Sequence, residues 1–259
     1  MRLICPICKK PLQTKDKEAL CINNHHFDYA RSGYLNLMIS QKKNHGDNTD
    51  MSKARISFLN TGAYAFLREE LSALTKQYGS SCIADLGCGN GYYTSALVAE
   101  EKYGFDLSKD ALKYAAKHDP STNYIVSSIF NVPLTDHCAD TILTCFAPTA
   151  SSEIDRLLVD NGYFIYVSPG PLHLMEFKEA LYDKAYQNIV KRQDVPLHFA
   201  DQIEIENRFH ADQETLKNLF MMTPYAFHTG IDDVKKLDQI QHLDVTAQFV
   251  IQIYQKNKE

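Results

Sequence analysis

The chain has 259 residues, 44% hydrophobic and 23% charged, enough apolar content for a packed core with a small module attached. No apolar run approaches the roughly 20 residues that span a bilayer, and the polar, cysteine-rich N-terminus has no secretory h-region, so a cytoplasmic protein without a membrane partner is expected. The formal net charge of −5 excludes a uniformly basic nucleic-acid binder, yet residues 1–60 carry ten Lys/Arg against five Asp/Glu, leaving 17 basic and 27 acidic residues behind them. A polyanion is therefore expected to meet the N-terminal end first.

Residues 1–28 contain few branched apolar side chains and need a staple to fold. Cys5 and Cys8 flank Pro6 in a C-P-x-C turn, Cys21 follows after twelve intervening residues, and two histidines, His25 and His26, come next. Three thiolates and one imidazole close a tetrahedron around zinc and leave no ligand position for water, which marks a structural ion. Spacing admits either His25 or His26 as the fourth ligand. The other four cysteines, Cys82, Cys88, Cys138 and Cys145, lie in or beside apolar runs and are read as small core or loop residues. Residues 29–40 read as a short extended segment, and 40–50 as a polar linker.

Helical spacing starts near Asp50, with Asp50 or Ser52 as N-cap and Gly62 as terminator, and a second helix carries Tyr64, Leu67, Leu71 and Leu74. The pattern then alternates. "SCIADLG" is a strand, "YYTSALVAEE" a helix, "YGFDLS" a strand, "KDALKYAAKH" a helix, and "NYIVSS", "ADTILTCF" and "GYFIYVSP" three further strands. A helix is expected from His173 through "LMEFKEALYDKAYQ", another near Asp212–Leu219, and "VTAQFVIQIYQ" closes as a long alternating strand. Such alternation predicts a mostly parallel, doubly wound α/β sheet with helices on both faces. Three regions follow: a zinc-binding module with the basic front at 1–38, a flexible loop with bridging helices at 39–79, and the α/β domain at 80–259.

Between a strand and a helix, "DLGCGNG" places Gly87, Gly89 and Gly91 where a backbone turn lets a ligand approach main-chain N–H groups. Asp85 precedes the turn, and Asp106 ends the next strand, where a carboxylate accepts hydrogen bonds from a ribose diol. The spacing is G-x-G-x-G, not the G-x-G-x-x-G of dinucleotide binders, but Asp106 alone fits any adenosine ligand, NAD included.

These residues resemble the S-adenosylmethionine site of class I (Rossmann-like) methyltransferases over roughly residues 80–170. In the turn "SIFNVP", Ser128 stands where that family often has an adenine-contacting Asp. Taken with "CPIC", "FDYARSGYLNLM", "GDNTDMSKARISFLNTGAY", "SPGPLHLMEFKEALY" and "MTPYAF", the chain resembles the zinc-containing 23S rRNA (guanine-N1-)-methyltransferases, the RlmA family, over nearly its whole length. The resemblance implies methyl transfer to N1 of a guanine in a 23S rRNA hairpin loop, and a homodimer. It makes Cys5, Cys8, Cys21 and His25 the zinc ligands. It places S-adenosylmethionine around Asp85, Gly87, Gly89, Gly91, Tyr92, Asp106, Leu107 and Ser128. Lys9, Lys10, Lys15, Lys17 and Arg31 are then phosphate contacts, which orient an RNA without reading its sequence.

The proton on guanine N1 has to leave, so a polar catalytic group is expected. His173 and Glu176, after the fifth strand of the α/β region, are the residues proposed for it, against a helix-terminal role for each. Two other classes compete: a small-molecule methyltransferase, which leaves the zinc module without a role, and a non-catalytic zinc RNA-binding protein, which leaves the intact glycine turn without one.

Overall fold

The computed structural model describes residues 2–39, 49–223 and 229–258. The stretch read as a polar linker falls mostly outside these residues, as does most of "MTPYAF".

The N-terminal module is a three-stranded antiparallel sheet of β1 (Leu12–Lys15), β2 (Glu18–Cys21) and β3 (His26–Asp28). β4 (Leu35–Asn36) already belongs to the large sheet, where it pairs parallel to β7 (Asn123–Val126). That sheet has eight strands in the order β10-β11-β9-β8-β5-β6-β7-β4. Its parallel part also contains β5 (Cys82–Leu86), β6 (Glu101–Asp106), β8 (Ala139–Cys145) and β9 (Leu158–Pro169). Buried on both faces, β5 reads as an unbroken apolar run with one acid, Asp85, at its end.

The other end is antiparallel: β11 (His242–Gln255) pairs with β9, and β10 (His198–Asp212) pairs along β11. β10 was not expected. Its pattern of exposed and half-buried residues, with charges at Asp201, Glu204, Glu206 and Arg208, is that of an edge strand, whose one apolar face (Phe199, Ile203, Ile205, Phe209, Ala211) is interrupted by Asp201 and Asn207.

Among the described residues, seven helices complete the fold: α1 (Thr49–Asn60), α2 (Ala65–Gln77), α3 (Lys109–His118), α4 (Ser151–Leu157), α5 (Met175–Leu181), α6 (Gln213–Met222) and α7 (Ile231–Leu237). α3 shows its start in sequence, since Ser108 accepts a hydrogen bond from the Ala111 amide. α5 is shorter than the helix expected from His173 to Gln187.

The helix expected over Tyr92–Glu101 does not form; only a single 3-10 turn, Thr94–Ala96, is present. Side chains take the carbonyls a helix would use. Arg68 Nε donates to the Tyr92 oxygen at 2.8 Å, and Lys102 Nζ donates to the oxygens of Thr94 and Ser95 at 3.3 and 3.2 Å. The Val98 amide goes instead to Thr75 Oγ1. The glycine turn therefore opens onto a braced loop, not a helix N-terminus.

The two modules share one core. Leu3, Cys5, Leu12, Ala19 and Cys21 pack in the same apolar cluster as Ala84, Phe105, Leu134 and Phe164 of the large sheet.

Candidate active site and zinc centre

The zinc ribbon's four ligand atoms converge. Those of Cys5, Cys8, Cys21 and His25 all lie within 4.8 Å of one another. Cys8 Sγ is 3.6 Å from Cys21 Sγ, and His25 Nδ1 is 3.4 Å from Cys5 Sγ and 3.3 Å from Cys21 Sγ. A tetrahedral ion with Zn–S bonds of about 2.3 Å separates neighbouring sulfurs by about 3.8 Å, so the donor set fits zinc. The hydrogen bond from the Lys10 amide, opposed by burial, pulls the Cys8 thiol down to about 6 and favours the thiolate that a metal needs. His26 instead lies in β3 opposite Leu20, with its side chain exposed. The geometry thus separates the two histidines that spacing left equivalent.

At the C-terminal edge of the parallel strands opens a cavity of about 660 Å³, within the roughly 300–1,000 Å³ of small-molecule sites. Asp85, Gly87, Gly89 and Asp106 line one half of it. Gly87 has φ +90°, and a Cβ there would stand 2.5 Å from the Ala147 Cβ. Gly89 has φ +53° with nothing within 4 Å of where a side chain would stand, so its backbone faces open space. The Gly89 amide donates to Asp106 Oδ2 at 2.9 Å, and the Ser108 amide to Oδ1 at 2.7 Å. These bonds hold the carboxylate at the end of β6.

Asp85 is deeply buried. One carboxylate oxygen accepts from Thr94 Oγ1, and the other, Oδ1, has no protein partner. Burial pushes its pKa up to about 7, opposed by the Thr94 hydrogen bond and assisted by Asp106. An orphaned buried oxygen beside a glycine cradle suits a ligand that brings its own donor, as the amino-acid ammonium of S-adenosylmethionine does. The residues present fit that cofactor.

Gly91, Tyr92, Leu107 and Ser128 do not line this cavity. Tyr92 instead borders a separate 230 Å³ pocket with Gly91, under the Arg68 guanidinium. Ser128 Oγ accepts from the Phe130 amide.

The other half of the cavity is largely aromatic, with Tyr64, Tyr93, Phe146, Tyr166 and Phe249 in its wall and Arg55 of α1 beside them. None of these was singled out from sequence as a site residue. Each sits in an ordinary apolar pattern, and only the third dimension collects them.

His173 does reach the cavity wall. The Gln248 amide donates to its Nδ1 at 3.2 Å, which puts the proton on Nε2, 3.3 Å from the Tyr64 hydroxyl. Burial, with Lys178 nearby, pushes its pKa down to about 3. In this neutral tautomer both ring nitrogens are engaged, and no lone pair is left to take a substrate proton. Glu176 does not line the cavity. Its Oε2 accepts from the Thr246 amide at 3.0 Å and its Oε1 from Thr246 Oγ1 at 2.6 Å. Burial disfavours its ionised form, but those hydrogen bonds outweigh it and hold the carboxyl below the usual range.

An α/β fold of this topology, with its glycine turn, strand-end carboxylate and orphaned acid, defines a class I methyltransferase. Solved structures agree on the fold. The YcgJ protein of Bacillus subtilis superposes with a TM-score of 0.51 at 14% identity, covering 74% of this chain and 99% of that one. A structure from Anaeromyxobacter dehalogenans, provisionally described as a type II methyltransferase, gives 0.52 at 19% identity, covering 73% and 97%. The family described as "RlmA, N-terminal", a zinc ribbon, matches residues 3–45, and a methyltransferase domain family matches residues 84–166. The chain thus pairs a segment similar to the RlmA zinc ribbon with a segment similar to a methyltransferase domain. Among its relatives, the 23S rRNA (guanine(748)-N(1))-methyltransferase of Streptomyces fradiae is 29% identical over 96% of this chain and 95% of its own length. YxjB of Bacillus subtilis (strain 168), provisionally assigned as a 23S rRNA (guanine-N(1)-)-methyltransferase, is 28% identical over 97% and 96%.

Proposed function

We infer that this chain transfers a methyl group from S-adenosylmethionine to N1 of a guanine in a 23S rRNA hairpin loop. The observation that carries this reading is a fitted zinc ribbon docked beside a fitted cofactor cavity, in a chain that matches a 23S rRNA (guanine-N1)-methyltransferase end to end. When bound, S-adenosylmethionine supplies a sulfonium methyl, which leaves as sulfur keeps the carbon–sulfur electron pair.

The chain's own residues position, exclude and polarise. A loop base has to be splayed out before any pocket can hold it, and the aromatic half of the cavity suits a planar base. Arg55 brings positive charge to that wall, where the guanine oxygen gains negative charge as N1 gives up its proton. Asp85 and Asp106 are the carboxylates among the described cavity residues, and both face the cofactor half. We therefore assign the N1 proton to solvent. His173 becomes a positioning residue that orients the Tyr64 hydroxyl, and Glu176 ties α5 to β11.

The ribbon lysines contact phosphates in this reading. It extends to action in the cytoplasm, where ribosomal RNA is made in bacteria, and to a homodimer, both supported by the family resemblance. No described helix is long and apolar enough to cross a membrane. The test is primer extension on 23S rRNA incubated with the protein and S-adenosylmethionine. N1 methylation blocks pairing, so a new stop at one guanine is the expected result, and methylation of small molecules with no stop would refute it. Sedimentation at micromolar concentration tests the dimer.

A further inference from the structure

Among the described residues, seven that are not glycine have positive φ. Lys9, Asp16, Asn24, His137 and Asn161 are polar; Phe146 and Leu174 are the two bulky apolar residues in this conformation. A side chain of that size at left-handed φ is strained, and strain of this kind persists where the surrounding structure holds it for a purpose. Leu174 is 1% exposed and repays its backbone with core packing. Phe146, at φ 56°, is 38% exposed, so burial does not account for it.

We propose that Phe146 is the face on which the target guanine stacks, an assignment that rests on the rRNA reading above. Phe146 directly follows β8, and its left-handed bend breaks the strand's alternation where the chain meets the cavity. The bend is held from several sides. The Phe146 amide donates to the Val167 oxygen at 3.1 Å. The ring is flanked by Tyr93 at 6.1 Å and Phe249 at 5.4 Å, both tilted relative to it. The next residue, Ala147, closes against Gly87 of the glycine turn. The ring is thus one residue from the cofactor cradle and still partly open to the cavity. A partly solvent-facing aromatic ring is what single-stranded RNA recognition uses to hold an unstacked base. Stacking tolerates any base, so Phe146 supplies placement and not the choice of guanine.

The experiment uses the full chain and a 23S rRNA hairpin fragment whose methylated guanine has been located by primer extension. Phe146→Leu should lower the single-turnover rate by about 5- to 100-fold, while S-adenosylmethionine affinity stays within about two-fold; Phe146→Tyr should restore most of the rate. With 2-aminopurine at the target position, the complex with Phe146→Leu should be brighter than that with the wild type, because the quenching ring is gone. A Phe146→Leu enzyme with wild-type rate and emission overturns the inference, as does a rate loss matched by an equal loss of cofactor affinity. The chain contains no tryptophan, so Phe146→Trp gives a second measurement if Phe146→Leu fails to fold: its emission should be quenched when the hairpin binds, and unchanged emission overturns the inference. A wild type that leaves the rRNA unmethylated removes the parent reading, and this one with it; a methylating wild type alongside an indifferent Phe146→Leu removes only this one.

Discussion

Asp85 couples the stability of the fold to the cofactor it is built to receive. Its carboxyl has an ordinary pKa of 3.8, which burial raises to about 7 in the folded chain. The folded state therefore keeps a proton that the unfolded state has already lost. Stability conferred by this group is complete below pH 3.8 and declines as pH rises, until the folded carboxyl also ionises near 7. The slope is about 1.4 kcal/mol per pH decade, or about 4 kcal/mol over the whole window and about 3 kcal/mol between pH 5 and 8. Asp85→Asn keeps the shape and can still accept from Thr94, but it does not titrate. Urea unfolding at pH 5, 6, 7 and 8 should show the variant gaining on the wild type by about 3 kcal/mol across that range. The same substitution should weaken S-adenosylmethionine binding at pH 8 by more than ten-fold in calorimetry, since an amide does not balance an ammonium. In the wild type that binding should weaken as pH falls below 7. Parallel stability curves for the two proteins would refute the reasoning, because they would mean that Asp85 is not the group paying this cost.

Three further outcomes are expected. Gly87→Ala puts a Cβ at φ +90° and 2.5 Å from the Ala147 Cβ; it should cost about 1–3 kcal/mol in chemical denaturation and abolish the thermal shift given by S-adenosylmethionine. Elemental analysis should find about one zinc per chain in the wild type and in His26→Ala, and a large loss in His25→Ala. Lys9→Gln with Lys10→Gln should weaken hairpin binding and reduce the slope of log Kd against log salt by about one for each phosphate contact removed.

Much of this was legible in the sequence where one local rule suffices. The Cys5, Cys8 and Cys21 spacing announces a knuckle pair, and the strand before Gly87 announces the cofactor turn. Legibility fails where tertiary partners decide. "YYTSALVAEE" has helical periodicity, but Arg68 and Lys102, from other elements, capture its carbonyls. β10 joins the sheet as an exposed edge strand, so its charges mask its pairing. His173 looks like a base in sequence because an imidazole near the cofactor edge usually has a lone pair to offer. Only the Gln248 amide, 75 positions away in the chain, shows that this one does not. The aromatic wall was invisible because Tyr64, Phe146 and Phe249 come from three distant segments.

The attachment of the ribbon also has a mechanical consequence. Its first strand-like residues bridge the loop after β7: Leu3 pairs with Leu134, the Ile4 amide donates to the Pro133 oxygen at 3.0 Å, and the Thr135 amide donates to the Arg2 oxygen at 2.9 Å. Arg2 also reaches the Cys138 carbonyl, and Lys9 Nζ donates to Asn131 Oδ1 at 3.0 Å. From the far side, Arg156 holds the same loop by donating to the Val132 and Leu134 oxygens at 2.9 and 2.8 Å. The loop 127–134 that carries Ser128 is therefore clamped between the ribbon and α4, and the ribbon's core residues continue into the sheet. A module joined by a flexible tether would bind RNA without fixing where the target base falls. One fused through a shared core and a clamped loop sets its basic residues at a constant distance from the cofactor cavity, which is what positioning a single base requires. Metal loss should then reach beyond the ribbon. Chelation should raise amide exchange in residues 127–134 as well as in 2–28, whereas exchange confined to the ribbon would mean that the clamp is held by α4 alone.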